Sequence, residues 1–470
     1  MSNPPRRRVR RRIHPIVKFI FSLAAIALML YVATFAFRYC MGLFMVGEDY
    51  VVQIPGQDSP IVEYIPEEET VSPADPIQIT ETSRATVLAA GDLMTHLPIV
   101  RSGKTGNSYD FSSIFRHVEP YVAAADYAIV NLETTLSGTS GKEYTGYPKF
   151  NAPDAFATGA YGSGFDLALF ANNHCNDYGT SGMLRTLETL QGAGLETLGV
   201  TTTAEAQKYT IKNLNNIHVG MINYTFADIG ADRNTPAING IPTDSAASGL
   251  INAFDYDNLD MFYAEMEVHI ASMKENGAEA IVLFIHWGDE YTISVNDKQK
   301  SMAQKLCELG VDVIVGSHPH VVQTVDFLTS NDGSHHTVCA YSLGNFLSNQ
   351  RATNIDMTTG HTEDSLLFSF TFVKYSNGKV HLESVDLMPT WVLVRGTGDG
   401  RTYHILPLDE AVEDWAAAYE LNSTQLSEAQ QSKVRTQRIL DQDWNALRIA
   451  LDQLNYNRGL EYGTISGGVG

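Results

Sequence analysis

The chain has 470 residues, a net charge of −22, an apolar fraction of 44% and a charged fraction of 18%. Those values suit a folded protein with a large core and exclude global disorder. Residues 1–46 hold eight basic residues and no acid, so the remainder carries −30. With no basic stripe beyond that first segment, nucleic acid is excluded as a partner, and any anionic substrate must be held by metal or by a few local cations.

The first element is a membrane segment. Six arginines (Arg6, Arg7, Arg8, Arg10, Arg11, Arg12) precede the uncharged run FIFSLAAIALMLYVATFAF at 19–37, which is long enough to span the hydrocarbon core as a helix. After Arg38 a second apolar stretch, YCMGLFMV, continues to residue 46. The run exceeds the apolar centre of a signal peptide and no small-x-small cleavage site follows it, so an uncleaved anchor is expected. The positive-inside rule then makes 1–18 a cytoplasmic basic segment and 19–46 a single transmembrane helix, and puts everything beyond outside the cell membrane. Residues 47–83 are acidic and Pro-rich without periodicity, and read as a solvated linker.

A main domain is expected over 84–407. Its strand-like runs are 85–91, 127–131, 165–171, 218–225, 280–287, 311–317 and 337–346, mostly apolar throughout. Helical patterns lie between them at 111–124, 153–163, 180–193, 256–275 and 296–309. Apolar strands alternating with helices imply a sheet covered on both faces. Residues 365–375 and 379–389 alternate and are joined by Ser-Asn-Gly, a hairpin signature. Residues 408–470 read as a helical tail of two amphipathic helices with a polar end. The four cysteines show no metal-binding spacing; Cys307 and Cys339 could form a disulfide or stand free, and Cys175 is a weak prospect as a nucleophile.

Residues able to ligate a metal occur where each apolar strand ends. Asp92 and His96 follow the first strand, and Asn131 and Glu133 the second. Asn172, Asn173, His174 and Asp177 follow the third; His286 and Glu290, then His318 and His320, follow two later ones. Ligands of open α/β sheets bind at the carboxyl ends of strands. Imidazole, carboxylate and amide oxygen together suit Mn, Fe or Zn, in one or two ions, and a histidine that is not a ligand can protonate a leaving group.

The ordered series GDLMTH, NLETT, NNHCNDYG, HWGDEY, GSHPHVVQ and YSLGNFLSNQ over roughly 85–350 resembles the CapA family, capsule-synthesis proteins associated with bacterial poly-γ-glutamate. That family is similar to the calcineurin-like metallophosphoesterases. The resemblance therefore implies a four-layered αββα metallophosphatase-like sandwich with a two-metal centre. It implies Asp92, Glu133, Asn173, His286, His318 and His320 as ligands, with Glu133 bridging, and His174 as the acid. It further implies that His96, Asn172, Asp177, Glu290, Gln323, Tyr341, Asn345 and Arg351 line the pocket. Two departures stand out: the Asp-x-His pattern is Asp92-x-x-x-His96 here, and Glu replaces the usual Asp at 133. The implied role is a membrane-anchored part of poly-γ-glutamate synthesis or export, with synthase or export subunits and the anionic polymer as partners. A metal-dependent surface hydrolase of phosphoester or amide bonds, unrelated to capsule, is the alternative.

Overall fold

A computed structural model describes residues 78–139, 143–229, 236–247, 249–355 and 359–464. The basic segment, the expected span and the linker up to residue 77 lie outside the described residues, as does the chain end from 465. Among the described residues no helix is long and apolar enough to cross a membrane.

In chain order the strands are β1 (Glu81–Leu93), β2 (Tyr127–Leu132), β3 (Leu167–Leu169), β4 (Glu196–Leu198), β5 (Tyr209–Leu214), β6 (Ile217–Ile229), β7 (Pro236–Ile238) and β8 (Ile241–Pro242). They continue with β9 (Ala253–Asp255), β10 (Ala280–His286), β11 (Val313–Ser317), β12 (Val325–Thr329), β13 (His336–Ala340), β14 (Asp364–Tyr375), β15 (Val380–Arg395) and β16 (Thr402–Pro407). The helices are α1 (Leu97–Ser102), α2 (Ser112–Phe115), α3 (Glu119–Val122), α4 (Ala155–Gly162), α5 (Gly179–Ala193), α6 (Leu259–Glu275), α7 (Asp297–Leu309), α8 (Trp415–Ala418) and α9 (Ser423–Glu461). A short ribbon pairs Lys104–Thr105 with Ser108–Tyr109.

The strands form two mixed sheets. The first runs β16-β15-β14-β1-β2-β3-β4, and the second β8-β7-β6-β10-β11-β13-β12, with β5 and β9 also paired to β6. In the first sheet β1, β2, β3 and β4 are parallel. In the second, β6, β10, β11 and β13 are parallel.

Strand alternation sets the layers. In β1, Leu88 and Ala90 join the core shared with α1–α5, while Val87 and Ala89 face the other way. In β10, Ile281, Leu283 and Ile285 pack against α6 and α7, whereas Val282 and Phe284 enter the same central core as Val87 and Ala89. Helices therefore cover the outer face of each sheet and the two inner faces share one apolar layer, so the order is helix, sheet, sheet, helix. With both faces buried, the parallel strands have no polar side, which is why they read as continuous apolar runs.

The structure departs from the expected elements at several points. β1 begins at Glu81, taking in residues assigned to the linker. The pattern at 111–124 yields two single turns because Pro120 and adjoining loops interrupt it. The run at 337–346 stops as a strand at Ala340 and leaves a loop that laces onto β1. The hairpin at 365–389 exists and gains a third strand, β16. The tail packs on the domain as the single turn α8 and the 39-residue α9. Asn422 and Gln425 form a reciprocal capping box at the start of α9, and Arg435 pairs with buried Asp364 of β14 at 2.6 Å. Cys175, Cys307 and Cys339 are buried and free, so no Cys307–Cys339 disulfide exists. Burial pushes the Cys175 thiol up to about 12, which leaves it inert.

Candidate metal centre

The parallel strands of both sheets deliver their carboxyl ends to one place. Asp92 lies near the end of β1, Glu133 one residue past β2, and Asn172–His174 just past β3. From the second sheet come His286, the last residue of β10, and His318 and His320 just past β11. The loop after β13 closes the site from behind: Asp92 N–H donates to Gly344 O at 2.9 Å and Leu347 N–H to Asp92 O at 3.0 Å. Gly91 permits this approach, since a Cβ there would collide with Gly344 O.

Three overlapping groups of side chains each place ligand atoms within 4.8 Å of one another: Glu133, His286 and His318; Asp92, Glu133 and His320; and Glu290, His318 and His320. Glu133 belongs to two of them, and its Oε1 lies 3.7 Å from His286 Nε2 and 3.6 Å from His320 Nε2. Both of its carboxylate oxygens are buried without a hydrogen-bond partner. An unpaired buried carboxylate costs several kcal/mol unless something offsets it. Burial, and then the charges of Asp92, Glu290 and Asp177, hold the Glu133 carboxyl well above its usual range. His286 and His318 are held well below theirs, by burial first and by the neighbouring histidines next. Their facing nitrogens, Nε2 and Nδ1, lie 3.2 Å apart. Neutral imidazoles beside an orphaned carboxyl fit a divalent cation, which coordinates lone pairs and reverses the penalty on Glu133.

Hydrogen bonds behind these groups fix their orientation. Asn131 Nδ2 donates to Asp92 Oδ1 at 2.8 Å, and Asn172 Nδ2 donates to Asn131 Oδ1 and Leu132 O. Asn172 also accepts from His174 N–H, so it braces the site from behind. His286 Nδ1 bonds Ser317 Oγ at 2.8 Å, which turns Nε2 toward Glu133 and toward Asn173 Oδ1 at 3.1 Å. His320 Nδ1 meets Asp92 Oδ2 and Asn345 Oδ1, each at 3.1 Å, leaving Nε2 facing Glu133 and free to hold an ion. His318 and His320 flank Pro319 with φ of 98° and 57°, a left-handed backbone that is rare for such residues and turns both rings to one side.

His174 is in none of the three groups. Its Nδ1 donates to Asp177 Oδ2 at 2.9 Å, and the same oxygen accepts Phe150 N–H at 2.7 Å. His96 also stays outside the groups: its Nδ1 accepts Asn349 N–H, its ring meets Phe150 edge-on, and burial holds it down to about 3. Glu290 is exposed at the rim.

Three expected pocket residues face elsewhere. Gln323 bonds Gln299 and the carbonyls of Thr292 and Ser294, pinning the loop after β10. Tyr341 stacks on Trp287 and lines a separate groove beside α9. Arg351 pairs with Glu363 and covers Trp391. Each lies in or just after a motif that carries a site residue, but strand and loop direction turns it into packing. Ser317 and Tyr291 were not anticipated; Ser317 was visible inside the GSHPH motif, whereas nothing local marks Tyr291.

Fold and cluster define a two-sheet α/β protein whose buried His and carboxylate groups could hold a metal ion. The model of the bacterial capsule synthesis protein PGA_cap family matches residues 86–350, and the chain belongs to that family. It is 27% identical over 319 residues to the capsule biosynthesis protein CapA of Bacillus anthracis, covering 66% of this chain and 69% of that protein. It is 27% identical over 283 residues to the PGA biosynthesis protein CapA of Bacillus subtilis (strain 168), covering 58% and 65% respectively. The match thus spans about two thirds of each relative's length.

Proposed function

We propose that this protein is a membrane-anchored, extracytoplasmic component of capsule synthesis or export, of the poly-γ-glutamate type, whose cluster holds one or two divalent ions and cleaves a phosphoester or amide bond. The observation that carries the metal reading is Glu133, a fully buried carboxylate without a hydrogen-bond partner that is common to two ligand groups. The names of the two relatives support the capsule role, and the basic start and apolar run at 19–46 support the anchor.

Asp92, Glu133, Asn173, His286, His318 and His320 form the ligand set. Their imidazole, carboxylate and amide oxygen donors, without thiolate, suit Mn, Fe or Zn. A bound divalent ion supplies Lewis acidity and neutralises developing negative charge. Asp177 orients His174 by accepting its Nδ1 hydrogen, which leaves Nε2 to pass a proton to a leaving group. Synthase or export subunits and the anionic polymer are the partners this reading names.

The test pairs two measurements. Elemental mass spectrometry of the purified full chain, dialysed without chelator, is expected to find about one to two equivalents of Mn, Fe or Zn, lost in His318→Ala. Cells carrying Asp92→Asn are expected to make less surface polymer. Metal with unchanged polymer would leave a surface hydrolase outside capsule synthesis, and absence of metal after reloading would remove the enzymatic reading.

A further inference from the structure

Tyr291 follows Glu290 in the loop after β10, half-buried, with its ring centroid 5.9 Å from that of His320. Its φ of 59° is left-handed, a backbone that bulky residues rarely adopt. Its N–H donates to Pro319 O at 2.8 Å, tying this loop to the His-Pro-His turn. Among the described residues no lysine or arginine forms an ion pair with a member of the cluster, and Arg351 is occupied by Glu363 and Trp391.

One backbone carbonyl sets the direction of a hydrogen-bond chain that ends at the Tyr291 hydroxyl. Thr362 O can only accept, so the group 3.0 Å away is Asn345 Nδ2, and Asn345 Oδ1 faces His320 Nδ1. The second Nδ2 hydrogen goes to Gln350 Oε1 at 2.8 Å. That turns Gln350 Nε2 toward Tyr291 Oη, where it donates at 3.0 Å. The phenol oxygen therefore accepts from Gln350, and its own hydrogen remains to be donated. A phenol with an ordinary pKa of about 10 keeps that hydrogen at neutral pH.

We propose that Tyr291 contacts the substrate, its phenolic hydrogen donating to an oxyanion oxygen (phosphoryl or carboxylate) held beside His320. The assignment rests on the metal reading above and adds to it the substrate class and a neutral donor. Asn345 and Gln350 are positioning residues that keep the hydrogen available.

The test uses the metal-loaded full chain and two probes, inorganic phosphate and acetate, each titrated calorimetrically. Tyr291→Phe is expected to weaken whichever anion binds by about tenfold or more, with metal content and melting temperature unchanged. The preferred anion separates a phosphoryl from a carboxylate substrate. Undiminished affinity, or a parallel loss of metal that makes Tyr291 a support for His320, would overturn the proposal. So would a metal-loaded wild type that binds neither anion. A wild type that takes up no metal would overturn the metal reading and this proposal together. Gln350→Glu is the second variant: its carboxylate still accepts from Asn345 but also takes the phenolic hydrogen. It is expected to weaken anion binding more in the wild-type background than in Tyr291→Phe, and equal effects in both would mean charge alone and overturn the proposal.

Discussion

Glu133 Oε1 stands 3.6 Å from His320 Nε2. That is beyond a hydrogen bond, yet two ligands each about 2.1 Å from one tetrahedral ion stand roughly 3.4 Å apart. Glu133→Gln keeps the shape and removes the charge. It is expected to cut bound metal to below half the wild-type content by elemental analysis while leaving the metal-free melting temperature within a degree or two. Unchanged metal content would remove Glu133 from the ligand set.

Asn345 orients His320 without entering the ligand groups, its Oδ1 accepting from Nδ1 at 3.1 Å. Loss of such a bond behind a ligand costs about 10–100-fold in metal affinity. Asn345→Leu should show that weakening in a competitive chelator titration, and an unchanged affinity would mean that Asp92 alone positions the ring.

Gly316, near the end of β11, has no room for a side chain, because a Cβ would overlap Tyr341 O and the Trp287 ring. Gly316→Ala is expected to lose about 1–3 kcal/mol in urea unfolding and to lower metal content as well, since the strand that shifts carries His318 and His320. Wild-type stability in this variant would show that β11 and β13 can separate freely.

His381 of β15 holds the end of α9, its Nε2 lying 2.9 Å from Tyr462 Oη, and burial lowers it from the usual 6.5 to about 4. Between those values the unfolded chain takes up a proton that the folded chain refuses. Its contribution to stability is therefore complete above pH 6.5 and falls as the pH drops toward 4. Urea unfolding at pH 7 and pH 4.5 should show this loss, and His381→Gln should show a smaller one. An equal acid-side loss in the variant would assign the effect to other groups.

Most strands were legible because β1, β2, β6, β10 and β11 are buried on both faces and read as unbroken apolar runs. The grouping of His and carboxylate side chains was legible because parallel strands place their carboxyl ends together, so each run and the polar residues after it form one signal. β5 and β16, like β4, β7, β8, β9 and β12, escaped because their place comes from a neighbour: β5 joins by a two-residue Asn215-Asn216 turn onto β6, and β16 by pairing along β15.

By itself the sequence determined the alternation of strands and helices, the family, and which metal-ligating residue types end the strands, since these follow from local pattern and residue type. Only the tertiary structure decided that Glu133 belongs to two candidate ligand groups, that Gln323, Tyr341 and Arg351 turn into packing, and that Tyr291 lies beside His320. Those outcomes depend on side-chain direction and on partners far apart in the chain. Gln350 lies 59 residues from Tyr291 and His320 lies 228 from Asp92, and no local pattern carries a hydrogen bond across such a separation.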